Sequence, residues 1–182
     1  MLTTFVVYLE NTPGALNRVA SLFRRRGFNI ESLTVGQTEK PKVSRMTIAV
    51  NTDELGAHRV EANLYKLVNV LKVENITAVP SVFRDLAMFK VSADNESRTQ
   101  IMRLVDAFRA RIVDVTTDSV IIETTGTEDK IEALFSVLRP YGVLEMVRTG
   151  RVAMTRGATP KTASDSVSTK KAQEDNSISH SV

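Results

Sequence analysis

Glu10-Asn11-Thr12-Pro13-Gly14-Ala15-Leu16 stands where the hydrophobic period of the chain changes from a strand to a helix. Upstream, Leu2, Phe5, Val6, Val7 and Leu9 read as a mostly buried strand. Downstream, Leu16, Val19, Ala20 and Phe23 recur at i, i+3, i+4 and i+7, one face of a helix. The turn therefore sits at a helix N-terminus. There the first backbone N–H groups, at about Gly14, Ala15 and Leu16, lack an intrahelical partner and the helix dipole adds partial positive charge, so a small anion such as a carboxylate is well received. Pro13 restricts the approach of the chain, Gly14 admits a ligand close to the backbone, and the Asn11 amide both donates and accepts. On these residues alone the plainer reading is a strand-to-helix turn capped by Asn11.

Working outward, Phe28 to Val35 and Val43 to Val50 alternate apolar and polar residues on either side of Lys40-Pro41-Lys42, which marks a hairpin. Val60, Leu64, Leu67 and Val68 then predict a second helix, and Val70 to Ile76 a fourth strand. The order is βαββαβ, and it recurs. Leu86, Met88, Phe89 and Val91 suggest a strand, and Ile101, Leu104, Val105 and Phe108 a helix. Ile112 to Thr117 and Val120 to Thr124 form a hairpin turning at Asp118-Ser119. Ile131, Leu134, Phe135 and Leu138 mark a helix stopped by Pro140 and Gly142, and Val143 to Val152 a last strand. The fold class is α+β, two tandem ferredoxin-like domains over 1–78 and 79–157. An antiparallel sheet with both helices on one face leaves the other face open to a partner.

The 182 residues suit one ordinary domain or two small ones, and 42% apolar residues suffice for their cores. The absence of Cys excludes disulfides, thiolate metal sites and a Cys nucleophile. The start Met1-Leu2-Thr3-Thr4-Phe5 lacks the pattern of a signal peptide, and no apolar run is long enough to span a membrane, so a cytoplasmic protein is expected. Residues 158–182 are rich in Ser, Thr and Lys and read as a disordered tail. Three lysines there balance three acids, so the net charge of +3 belongs to residues 1–157.

The run Glu10 to Phe23, with Arg26-Gly27-Phe28-Asn29-Ile30-Glu31-Ser32-Leu33-Thr34-Val35, closely resembles the regulatory small subunit of acetolactate synthase, also called acetohydroxyacid synthase. Ser44-Arg45-Met46-Thr47-Ile48 and Lys66 to Val73 strengthen the resemblance, which extends over residues 1 to about 157 and is most specific in the first half. It implies an N-terminal ACT domain that binds an amino acid, followed by a second ferredoxin-like domain particular to this subunit. It also implies pairing of ACT domains into a homodimer with valine bound between them. Asn11, Gly14, Ala15 and Leu16 then match the effector loop of one chain, Asn29 and Ile30 the positions offered by the other, and Thr34 an effector-proximal position. Leucine and isoleucine are expected as weaker effectors, because one methylene in an apolar pocket is worth only about 1 to 3 kcal/mol. The catalytic subunit is the implied partner. Thiamine diphosphate, Mg²⁺ and FAD are expected on it, with no cofactor in this chain.

Rival functions fare worse. His58 and His180 are far apart in sequence, no phosphate-binding Gly-rich loop occurs, and Asp53, Glu54, Asp94 and Glu96 stand where helices begin, as caps do. No catalytic or metal residue is assigned. Arg24-Arg25-Arg26-Gly27-Phe28 begins like an RNA-recognition signature, but Val43 to Val50 carries no aromatic for base stacking. The arginines suit the C-terminus of a helix dipole instead. A further alternative keeps the ACT fold and makes it an amino-acid sensor, either regulating a different enzyme or standing alone.

Overall fold

The computed structural model describes residues 1–157, and the disorder expected for 158–182 lies outside the described residues. In the first half, β1 (Leu2–Glu10) leads to α1 (Ala15–Arg26), the hairpin of β2 (Ile30–Gln37) and β3 (Val43–Asn51), α2 (Glu54–Leu64) and β4 (Val70–Asn75). The sheet runs β2-β3-β1-β4, with each neighbouring pair antiparallel. Alternation puts Phe5, Val7 and Leu9 of β1 and Met46, Ile48 and Val50 of β3 on one face. They pack there with Val19, Leu22 and Phe23 of α1 and Val60 and Leu64 of α2.

The second half repeats the plan. β5 (Ser81–Ser92), α3 (Asn95–Ala107), β6 (Arg111–Val115), β7 (Ser119–Gly126), α4 (Glu128–Leu138) and β8 (Val143–Arg148) give a sheet ordered β6-β7-β5-β8. Phe89 faces Ile122 across the central pair, as Phe5 faces Ile48 in the first sheet. Ile101, Val105, Ile131, Leu134 and Leu138 close this core from the helices.

Three details depart from the sequence expectation. The last strand, expected over Val143 to Val152, is broken at Thr149-Gly150-Arg151, where Gly150 takes φ +85. The chain resumes as β9 (Val152–Thr155), which pairs with Ser81–Arg84 at the start of β5. Leu67 and Val68 lie beyond α2, because the chain must reverse to enter β4. Tyr65 pins that reversal, its hydroxyl donating to Val73 O and accepting from Val73 N at 3.0 and 3.2 Å. Leu16, expected on the buried face of α1, is 45% exposed, and Ala15 takes the buried place at the helix start.

The open face of the first sheet is covered by the second half of the same chain. Val6, Ile76 and Ala153 form a small buried cluster, flanked by Tyr8 and Phe83. Around it the contacts are polar. Arg45 lies 5.8 Å from the Tyr8 ring and donates to Ala153 O, and Arg151 lies 5.3 Å from the Phe83 ring. Beside them the Arg148 guanidinium grips the buried Asp85 carboxylate through Nε, at 2.7 Å, and Nη2.

Candidate functional site

The loop between β1 and α1 is shaped by backbone bonds. Asn11 N–H donates to Lys42 O at 2.8 Å, Thr12 N–H to Glu10 O at 2.9 Å and Ala15 N–H to Thr12 O at 3.2 Å. Gly14 occupies the N-cap of α1 in the left-handed conformation, φ +82, which a glycine adopts without steric cost. No side chain caps the helix. The Asn11 amide turns instead to Pro41 O at 3.3 Å, so the capping role that its residue type suggests is not the one it plays. Arg18 N–H makes the first i to i−4 bond, to Gly14 O, and Ala15 N–H is taken by Thr12. The Leu16 and Asn17 N–H groups thus open the helix without a side-chain cap, and a Cβ built on Gly14 meets nothing within 4 Å. An exposed, electropositive helix end with free space beside it can receive a carboxylate.

A brace that sequence spacing does not reveal holds this loop. Asn69, in the turn before β4, donates to Glu10 Oε2 at 2.7 Å and to Thr12 Oγ1 at 3.4 Å, and its carbonyl side-chain oxygen accepts from Arg18. Glu10 N–H also donates to Asn69 O at 2.9 Å. The only hint in the sequence is a polar Asn between the apolar positions Val68 and Val70, and nothing there says which loop it meets.

Asn29 and Ile30 lie elsewhere. Asn29 is exposed, its amide donating to Glu31 Oε1 at 2.9 Å, and Ile30 is half-buried against the first core. Ile30 sits opposite Val50, which sits opposite Thr3, whereas Glu10 is opposite Val43 at the far end of the sheet. Seven residues of strand, roughly 23 Å at the usual rise, separate the two groups within one chain. The structure therefore brings Asn11, Gly14, Ala15 and Leu16 together and leaves Asn29 and Ile30 apart from them. Thr34 faces neither group. It lies opposite Thr47 on the side of the sheet away from the helices, and its hydroxyl donates to Arg151 O at 2.7 Å.

Of the acids that stand at helix starts, Asp53 and Asp94 are caps, and Glu54 and Glu96 lie in the first turns of the helices that follow. Asp53 accepts from Gly56 N–H at 2.7 Å, and Asp94 accepts from Glu96 N–H at 3.1 Å and Ser97 N–H at 2.8 Å. The hydrogen bonds from Ser97 hold the Asp94 carboxyl below its ordinary pKa. Among the described residues no group of His, Cys, Asp and Glu is arranged to hold a metal ion, and no helix is long and apolar enough to cross a membrane. The three arginines end α1 as its dipole favours. Thr4, Val6 and Tyr8 of β1, with Arg45 and Thr47 of β3, make up the sheet face on which an RNA-recognition module would stack bases. β9 and the start of β5 occupy that face here.

A ferredoxin-like pair whose first unit leaves a glycine-shaped helix start open belongs to the ACT-domain class of proteins. Comparison with known proteins narrows the class. Residues 5–72 match the family described as the AHAS small subunit-like ACT domain, and residues 84–157 that described as the small subunit of acetolactate synthase. The chain is 54% identical over 154 residues to a probable acetolactate synthase small subunit of Archaeoglobus fulgidus, covering 85% of this chain and 96% of that protein. It is 50% identical over 154 residues to the acetolactate synthase small subunit of Mycobacterium leprae, covering 85% and 91%. The crystal structure of the Thermotoga maritima acetolactate synthase small subunit superposes with a TM-score of 0.81 at 40% identity, covering 87% of this chain and 99% of that one. The chain belongs to the acetolactate synthase small-subunit family.

Proposed function

We propose that this chain is the regulatory subunit of an acetolactate synthase in branched-chain amino-acid biosynthesis. It binds and activates the catalytic subunit and confers feedback inhibition by valine. The observation that carries this reading is the start of α1, where a left-handed Gly14 leaves the Leu16 and Asn17 N–H groups without a side-chain cap beside open space. A zwitterionic amino acid needs such donors for its carboxylate, an acceptor for its ammonium group and a small apolar wall. The N–H groups, the side-chain oxygens of Asn11 and Asn29, and Leu16 with Ile30 supply these in turn.

The separation of the two groups within one chain supports a homodimer. β2 is an edge strand, with β3 on one side. Antiparallel pairing with β2 of a second copy, about a two-fold axis through the middle of the strand, keeps all helices on one face of the extended sheet. The same operation carries the partner's Asn29-Ile30 end toward the Asn11–Leu16 end of this chain. A site built from both copies explains why its two halves lie at opposite ends of one sheet.

The chemistry that joins pyruvate to a second 2-oxo acid, with its thiamine diphosphate, Mg²⁺ and FAD, is assigned to the catalytic subunit, and the complex to the cytoplasm. Valine must bind one arrangement of the assembly better than another, since equal affinity for both shifts nothing. Calorimetric titration of the purified chain with valine, leucine and isoleucine tests the site. Heat is expected with valine and weaker binding with the other two, and a chain that gives heat with none of them overturns the reading.

A further inference from the structure

The turn between β8 and β9 is fastened to β2 by a matched pair of hydrogen bonds. Thr34 Oγ1 donates to Arg151 O at 2.7 Å, and Arg151 N–H donates to Ser32 Oγ at 2.8 Å. One residue of the second half thus has both its backbone polar groups satisfied by two alternate side chains of one strand. The Arg151 side chain extends the link, donating to Thr4 Oγ1 at 3.4 Å and to Glu128 Oε2, at the start of α4, at 2.8 Å. It is also packed against the Phe83 ring and is only 18% exposed. Gly150 makes the approach possible. At φ +85 it adopts a conformation that L side chains rarely take, and a Cβ there would stand 2.6 Å from Ser32 Oγ.

The strand that carries these two hydroxyls starts at Ile30, directly after Asn29. Between that start and the hydroxyls the pairing of β2 with β3 shifts register, from Ile30 opposite Val50 to Ser32 opposite Ala49, so Glu31 is the extra residue of a bulge. A bulge is where a strand turns its side chains relative to its neighbour. Ile30 packs toward the helices, and Ser32 and Thr34 point through the opposite face to the second half of the chain.

From this geometry we infer that Ser32, Thr34 and the Gly150-Arg151 turn form an interdomain latch, and that Thr34 is a positioning residue that transmits effector occupancy to the second domain without touching the effector. The inference rests on the effector reading above for what the latch transmits, but not for its existence. A shift of the start of β2 on ligand binding moves Ser32 and Thr34 with it, because they follow on the same strand. Arg151 then either moves in step, carrying β9 and Glu128 of α4, or loses both bonds together. Either response gives the second domain two discrete seatings on the first sheet, the two-state element that such coupling requires.

The test compares Thr34→Val, Thr34→Ser and Gly150→Ala in the full chain, free and assembled with the catalytic subunit. For Thr34→Val the valine Kd of the free chain is expected within about twofold of wild type. The valine concentration for half-inhibition of the assembly is expected to rise about three- to tenfold, the factor that one neutral hydrogen bond is worth. Thr34→Ser, which keeps the hydroxyl, should restore inhibition. Gly150→Ala, which alters no residue of β2, should uncouple as Thr34→Val does. If Thr34→Val weakens free-chain binding and inhibition by the same factor, Thr34 is a ligand contact and the inference falls. It also falls if inhibition is unchanged. If wild type binds no valine at all, the effector reading fails separately, and the latch is judged by amide hydrogen exchange at Arg151. Ser32→Ala should then speed that exchange about three- to tenfold, and unchanged exchange overturns the latch.

Discussion

The two halves of the chain share a strand order and a core register, but they finish the first helix in opposite ways. In the second half the start of α3 is sealed. Asp94 accepts from the Glu96 and Ser97 N–H groups, and Ser97 Oγ accepts from Asp94 N–H in return, a reciprocal capping box. Ala93 N–H donates to Asp118 O at 2.9 Å, and Arg98 Nη2 donates to the carbonyls of Ala93, Thr116 and Thr117. In the first half the equivalent place holds Gly14, and no side chain caps α1. One βαββαβ frame thus makes either a closed structural joint or a receptive helix end, depending on whether a capping side chain is supplied. The proposed effector site rests on the cap that the first domain omits at α1.

The largest expected effect tests whether the halves stand separately. Phe89 is fully buried and its ring stacks on Phe135 with centroids 6.2 Å apart. Phe89→Ala should cost about 3 to 5 kcal/mol of stability, read from the urea midpoint. β5 carries Phe89 in the second core and Phe83 on the face of the first sheet. Loosening the second core should therefore also raise amide exchange at Arg151. Retained protection there would show that the cover over the first sheet does not depend on the second core.

Next in size is the open helix end itself. Gly14→Asp places a carboxylate where the proposed site seats the ligand's own, and Asp is among the residues that tolerate a left-handed backbone. A Cβ at Gly14 meets nothing within 4 Å. Valine affinity should fall on the order of 100-fold, about 2.7 kcal/mol, while the far-ultraviolet circular dichroism of the chain stays unchanged. Calorimetry that finds valine affinity intact would move the effector away from α1 and remove the functional half of the comparison.

Much of this was legible in the sequence because it depends on local period. The apolar run of Leu2, Phe5, Val6, Val7 and Leu9 and the spacing of Val19 and Phe23 predict elements that the structure contains, and the repeat of the pattern from Leu86 predicts the second sheet. What escaped depends on contacts between distant residues. Leu16 reads as a core residue on period alone, yet the left-handed Gly14 sets the helix start so that Ala15 is buried there and Leu16 is not. The break in the last strand hangs on Gly150, which reads as a tolerable strand residue until Ser32 is found beside it. Thr34 lies two residues from Ser32 on a plainly alternating strand, but that its hydroxyl meets Arg151 requires the second domain to be in place. The Arg18-Asn69-Glu10 brace likewise joins three segments with no common period.

The smallest effect belongs to the sealed joint. Asp94→Ala removes the side chain that closes α3, and a modest fall in melting midpoint is expected with valine affinity unaltered. The loss should also depend on pH in a direction fixed by the Ser97 hydrogen bonds. They hold the folded Asp94 carboxyl below its ordinary value, so its contribution is fully present above the pKa of the unfolded chain, about 4. It disappears as pH falls through the lower folded value. Wild type and Asp94→Ala should thus differ in melting midpoint at neutral pH and converge in acid. A difference that persists below that range would mean that Asp94 acts by packing rather than as a charged cap. The second helix start would then be closed by shape, and the contrast with the uncapped Gly14 would be one of space rather than of hydrogen bonding.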